Sequence, residues 1–347
     1  MKDSIEYVLE KLKTHDLVMI GERHWTHEEP MFLQEILRHC YDRSPINYLY
    51  LEFGRFVDQS KLELFLSSAS YDPRPVIEIL RDSYELGWGY QEYLDIFRLV
   101  YEMNQSSPPS QRVEIILTAG PPDEIDLWAS LQEFLHTPIR MQEDKKNRLV
   151  GWLDDALRDR DRFMASIIEA TLLQYQGLKG IFYGGYAHIR KNMHKKDYGR
   201  VHLKLGGLLD QAYPGRVFSI TLHQMPRDWA DPRSNDIVET LLERSGRPIG
   251  FDLSDHQVGD LRTFYSGIIE SEKLRQMFDG YIILNRNRDY NRCAFVPGFY
   301  DDEFAKIVWE RLRKHGYLER LPHEFEEYVH RMPTGEELMA LIEKGLT

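Results

Sequence analysis

The residues of this chain with the types and spacing for chemistry follow its apolar runs. DLVMIG runs into Glu22-Arg23-His24, NYLYL into Glu52, KGIFYGGYA into His188, and RVFSITL into His223 and Gln224. Glu22 and His24 stand two apart, so an extended backbone puts both on one side. A carboxylate beside an imidazole can orient the ring, and the ring can take a proton from water near neutral pH. Read singly, Glu22 is a loop carboxylate and His24 a helix-capping histidine. Their convergence with Glu52 and His188 favours a shared site. His27 reads as a supporting or surface residue. Glu28 and Glu29 sit where a helix begins, so attraction to its N-terminal dipole accounts for both. His24 and His27 are three apart, unlike the i, i+4 pair of HExxH zinc helices. No GxxxxGK[ST], GxGxxG or GxSxG stretch is present, which argues against a phosphate loop and against a serine-hydrolase elbow.

A second signal lies on a helical pattern over residues 145–176. Leu149, Trp152, Leu153, Ala156, Leu157, Met164, Ile167, Ile168 and Leu172 make one apolar stripe. Arg160 and Asp161 fall inside it, and Arg158, Asp159 and Arg162 fall outside. A charge on a buried face must be paired or must face a cavity. Arg160 is therefore half of a structural pair or a site residue that grips Glu22 or Glu52 through two nitrogens, with Asp161 the alternative bearer of the signal. Gly184 and Gly185 directly follow a strand, where they permit close backbone approach or offer an amide to an anion. The basic run Lys191–Lys196 reads as a solvated loop. Tyr84, Trp88, Tyr90 and Tyr93 are expected to line a cleft.

These residues need elements to carry them. Apolar runs of four to seven residues, Asp16–Ile20, Asn47–Glu52, Arg112–Thr118, Lys179–Tyr183, Arg216–Leu222, Pro248–Leu253 and Tyr281–Leu284, alternate with long helical patterns. That alternation predicts an α/β fold, a central mostly parallel sheet with helices on both faces. Ligands then bind at the carboxyl ends of the strands. Gly21 is expected to turn the chain after the first strand. The chain reads as one domain over 1–347, with a helical cap inserted at 55–104, a loop at Gln105–Gln111, an irregular excursion at 225–275 and C-terminal surface helices at 301–347.

The chain has 347 residues, 42% hydrophobic and 29% charged, which is the balance of a globular protein able to bury a core without disulfides. Its net charge of −12 disfavours nucleic acid and anionic membrane as partners. No apolar run approaches the length that spans a bilayer. The opening MKDSIEYVLEKLKTHD is charged and helix-periodic rather than signal-like, and Cys40 and Cys293 are lone cysteines. Both favour a cytoplasmic setting.

The ordered set GERH, LE, RDRFMA and GGYAH, followed by LGGLLDQAYPGRVFSI and MFDGYIIL, resembles the erythromycin-esterase and ChaN-like superfamily over most of the chain. The GExH spacing is closer to the ChaN-like branch, and TraB/Tiki-like proteins use similar motifs. The resemblance implies hydrolysis in which the motif histidine activates water, with Glu22, His24, Glu52, Arg160 and His188 as site residues. The leading expectation is an esterase-like hydrolase of a small molecule. His24 would be its base and Glu22 its orienter, with Glu52 and His188 positioning water or a metal. The alternatives are a haem-like ligand-binding protein without turnover, or a hydrolase or protease dependent on zinc or manganese held by Glu22, His24, Glu52 and His188.

Overall fold

In a computed structural model of the chain, the apolar runs assemble into one sheet. The structure describes residues 1–84, 86–119, 160–191, 194–197, 200–223, 231, 233–263, 272–314 and 331–344. Leu149, Trp152, Leu153, Ala156 and Leu157 of the helical stripe, with Arg158, Asp159, Gln224, Pro226 and Pro232, lie outside them. The strands are β1 (Lys2–Asp3), β2 (Leu17–Glu22), β3 (Tyr48–Arg55), β4 (Glu114–Ala119), β5 (Gly180–Gly185), β6 (His194–Asp197), β7 (Arg200–Leu203), β8 (Val217–Leu222), β9 (Ile249–Asp252), β10 (Arg262–Thr263), β11 (Glu272–Lys273) and β12 (Gly280–Ile283). Eight of them form the main sheet in the order β1-β9-β12-β8-β2-β5-β3-β4. The run from β12 to β4 is parallel throughout, and only β9 opposes its neighbours. All residues of β2 and β5 are buried. Central strands covered on both faces need apolar side chains at every position, which is why these runs do not alternate.

Helices cover both faces. On one side pack α1 (Ser4–Thr14), α2 (Glu28–Arg43), α3 (Gln59–Ser67), α4 (Arg74–Arg81) and α5 (Gln91–Ser106); the other side carries α6 (from Arg160 to Ile168), α7 (Leu205–Ala212), α8 (Ser234–Ser245) and α9 (Leu274–Met277). The chain then returns to the first face with α10 (Asp302–Lys314) and α11 (Gly335–Glu343). These last two are amphipathic outer helices whose inner side carries Trp309, Val308 and Leu338, all fully buried. None of the described helices is long and apolar enough to cross a membrane.

The first strand runs two residues past its expected end and takes in Gly21, which therefore makes no turn. Gly21 is paired with Gly184 of β5 and Thr221 of β8. A side chain there would come within 2.7 Å of the Tyr186 Cα, so close packing is what requires glycine. The turn is made further on by Trp25, whose φ is 67°.

Candidate active site

Five parallel strands deliver residues to one edge of the sheet. The β2–β5 register sets Glu22 beside Gly185. Pairing between β3 and β5 stops at Leu51 and Tyr183. Beyond that point the Gly185 N–H donates to the Glu52 carboxylate instead of a strand carbonyl. The two glycines are cut to fit this arrangement. A Cβ on Gly184 would meet Glu52 Oε2 at 2.5 Å, and one on Gly185 would meet His24 Nε2 at 2.9 Å.

His24 Nδ1 donates to Glu22 Oε1 at 2.7 Å, and the Tyr93 hydroxyl donates to Glu22 Oε2 at 2.7 Å. An ionised carboxylate only accepts, so the proton of a neutral ring sits on Nδ1 and Nε2 keeps its lone pair. Nε2 makes no hydrogen bond to a described residue. Trp88 packs edge-on against the ring at 4.9 Å. Desolvation works against the imidazolium, but the bond to Glu22 and the charge of Glu52 outweigh it, and the His24 pKa is raised.

Glu52 is the centre of a knot. Its Oε1 accepts from Arg160 at 2.6 Å, from Tyr84 at 3.1 Å and from His188 Nε2 at 3.1 Å. The other His188 nitrogen donates to Asp161 at 2.6 Å, and Asp161 also accepts from the Lys204 ammonium and the Leu205 N–H. Burial would drive both carboxyls up, yet Glu52 is held well below the carboxylate range by His188 and Arg160, and Asp161 is lowered by His188. Burial opposes charge on His188 too, but Glu52 and Asp161 raise its pKa to about 9. His188 is thus a cation at neutral pH with both N–H groups committed to carboxylates. Tyr84 holds a left-handed backbone, φ 57°, and lies over the Arg160 guanidinium at 4.8 Å. Left-handed aromatic residues are rare, and among the described residues the only two non-glycine cases, Trp25 and Tyr84, both flank this site.

In front of His24 opens a cavity of about 840 Å³, lined on one side by Glu22, Arg23, His24, Gly185 and His188 and on the other by Asn287, Tyr290, Asn291 and Arg292. His223 is fully buried behind it, its Nε2 accepting from Asn287 at 3.2 Å and its Nδ1 meeting the Tyr281 hydroxyl at 2.8 Å. Burial lowers its pKa.

The structure brings the strand-end residues Glu22, His24, Glu52 and His188 together with Arg160 of the helical pattern. Several finer expectations need correction. Arg160 reaches Glu52 through one nitrogen, not two, and its side chain is 38% exposed. The deeply buried charge on that helix is Asp161, 5% exposed. Trp88, Tyr90 and Tyr93 are core residues behind the carboxylates, and neither they nor Tyr84 line the cavity. Glu29 is not explained by the helix dipole. It is 1% exposed and caps the Arg23 N–H at 2.6 Å, and burial beside Glu22 raises its pKa well above normal. His27 is a supporting residue, donating to Glu92 at 2.5 Å. The far wall, Asn287, Tyr290, Asn291 and Arg292, is not among the expected site residues, although the same pattern of strand followed by polar run, YIIL into NRNRDYNR, marks it.

The donor set does not suit a resident divalent metal. Both oxygens of Glu22, both of Glu52 and both nitrogens of His188 already have partners, including the Arg160 cation. Among the described residues no group of three or more His, Cys, Asp or Glu is placed to hold an ion.

The chain is thus an α/β protein with a mostly parallel sheet and a carboxylate–imidazole pair at the carboxyl edge of that sheet. No protein-family model and no curated protein matches the chain. Among solved structures, a mutant of the erythromycin esterase EreC in its open conformation superposes with a TM-score of 0.56 at 11% identity, covering 83% of this chain and 94% of that one. A Bacillus cereus protein gives 0.55 at 12% identity over 81% and 90%, and a succinoglycan biosynthesis protein 0.53 at 12% over 81% and 90%. At these identities the likeness shows a shared α/β fold.

Proposed function

We propose that this protein hydrolyses an ester or related bond of a small molecule, with His24 as general base and Glu22 as its orienter. The observation that carries the reading is the His24–Glu22–Tyr93 chain with Nε2 left open beside the cleft. Sharing a fold with an esterase supports it. Water gives a proton to Nε2 while its oxygen attacks the acyl carbon, and the carbonyl electron pair moves onto oxygen. Collapse of the tetrahedral adduct breaks the bond to the leaving oxygen, which takes the proton back from Nε2. Glu22 stabilises the transient imidazolium, as orienting carboxylates do. His188 has no nitrogen free for this work. With Glu52 and Arg160, it forms a charged base on which the dyad rests.

The test is a screen of chromogenic and small-molecule esters against the purified protein, followed by His24→Ala on whichever ester is turned over. The rate should fall by roughly 10²–10⁴ with the fold intact. A wild-type rate in the variant, or no turnover of any ester, rejects the proposal.

A further inference from the structure

Two guanidinium groups line the cleft, and neither forms an ion pair with a described carboxylate. Arg23 stands between Glu22 and His24, and Arg292 stands on the far wall. Among the described residues the Arg23 side chain forms no ion pair and no hydrogen bond, and the carboxyl that feels its charge, Glu29, is buried with a raised pKa. Arg292 gives one hydrogen bond, to the carbonyl of Glu343 at 2.7 Å, and pairs with no described carboxylate. Several arginines elsewhere differ. Arg43, Arg55, Arg81, Arg216 and Arg311 each meet an acid between 2.5 and 3.1 Å. The one carboxylate lining the cleft, Glu22, is already taken up by His24 and Tyr93. A chain of net charge −12 therefore presents a local cationic pair beside its base.

The backbone that carries these arginines is tied down. Thr26 and Arg292 form an antiparallel bridge. The Cys293 N–H donates to the Trp25 carbonyl and the His27 N–H to the Asn291 carbonyl, both at 2.9 Å. Glu28 accepts from the Asn291 side chain at 2.7 Å. The two walls are thus stitched together, and the spacing of the two Cα atoms is set before any ligand arrives. Such pre-organisation lowers the ordering cost of binding. A guanidinium offers a planar fork of donors that matches carboxylate and phosphate oxygens. A cationic ligand would face two uncompensated like charges.

We infer that the ligand of this cleft carries an oxyanion, a carboxylate or phosphate set apart from the scissile bond, held by Arg23 and Arg292 while His24 addresses that bond. The bond cleaved rests on the hydrolase reading; the anion site does not.

Calorimetric titration at low ionic strength tests the site without turnover. Inorganic phosphate, glutarate and the neutral diamide glutaramide are titrated into wild type, Arg23→Gln/Arg292→Gln and Arg288→Gln. Arg288 is an exposed arginine of the same loop that does not line the cleft. Wild type should bind phosphate or glutarate saturably and glutaramide far more weakly; which anion binds tells phosphate from carboxylate. The double variant should lose about a hundredfold in affinity, tenfold per arginine, and Arg288→Gln should bind as wild type. The inference is overturned if wild type binds neither anion, if glutaramide binds as tightly, or if Arg288→Gln weakens binding as much as the double change. Absence of ester hydrolysis would reject the hydrolase reading and leave these titrations standing.

Discussion

At the scale of single residues, His24 works through what its neighbours do to its proton. Glu22 accepts from Nδ1, and Glu22 and Glu52 together raise the ring's pKa above its ordinary 6.5. A base must be neutral to act, so the rate should rise with pH along a limb lying above that value. Glu22→Gln keeps an acceptor for Nδ1 but removes the charge. The limb should move to lower pH and the plateau rate should fall, because the imidazolium formed in the reaction loses its counter-charge. A kcat profile of both proteins checks this; an unmoved limb would show that Glu22 does not tune His24. The pairing itself was legible in the chain, since residues two apart on an extended backbone share a side. That Tyr93, 71 residues away, would hold the other oxygen was not.

At the scale of elements, the helix α6 and the glycines of β5 decide how the site is held. Asp161 faces inward and pairs with His188 and Lys204, whereas Arg160 lies partly in solvent. Asp161→Asn would leave Lys204 without its carboxylate and His188 with Glu52 alone, and should cost about 3–5 kcal/mol. Arg160→Met should cost only about 1 kcal/mol, because Glu52 keeps His188, Tyr84 and the Gly185 amide as partners. Denaturant midpoints would rank the two, and the reverse order would refute the assignment of the buried charge. The stripe pattern located both residues on the inner side of the helix. It could not say which was deeper, because a long arginine reaches out to water while a short aspartate cannot. Gly185→Ala puts a methyl within 2.9 Å of His24 Nε2 and 3.3 Å of Glu52 Oε2, atoms of the site rather than of the core. Its thermal unfolding should change little while ester turnover drops about a hundredfold, as expected when a reacting group is displaced by part of an ångström. A loss of stability without loss of rate would place the glycine's role in packing.

At the scale of the whole molecule, the charged knot couples folding to pH. The His188 pKa is raised from 6.5 to about 9, so its contribution is complete below 6.5 and disappears as pH climbs through about 9. The shift corresponds to about 3 kcal/mol. Unfolding free energy measured by denaturant should fall across that interval, and His188→Gln should flatten the slope. An equal slope in both proteins would mean that the pairing with Glu52 and Asp161 does not persist in solution.

What the chain determined by itself is the layout of strands and the residues at their ends. Unbroken apolar runs can be satisfied only inside a covered parallel sheet, and a parallel sheet sends every strand's next polar residue to one edge. Glu22, His24, Glu52 and His188 follow from that alone. Tertiary structure decided what those residues became. Gly21 reads as a turn by its type, but Tyr186 and Ile189, in the loop after β5, press on it. The tyrosines and Trp88 read as a cleft wall, but the face of the sheet they cover is the core. His188 reads as a residue that positions water or a metal, but Asp161 from α6 and Glu52 from β3 meet it on both sides and make it a cation. Protonation, burial and partner depend on groups far apart in sequence, and only packing brings those groups within a hydrogen bond of one another.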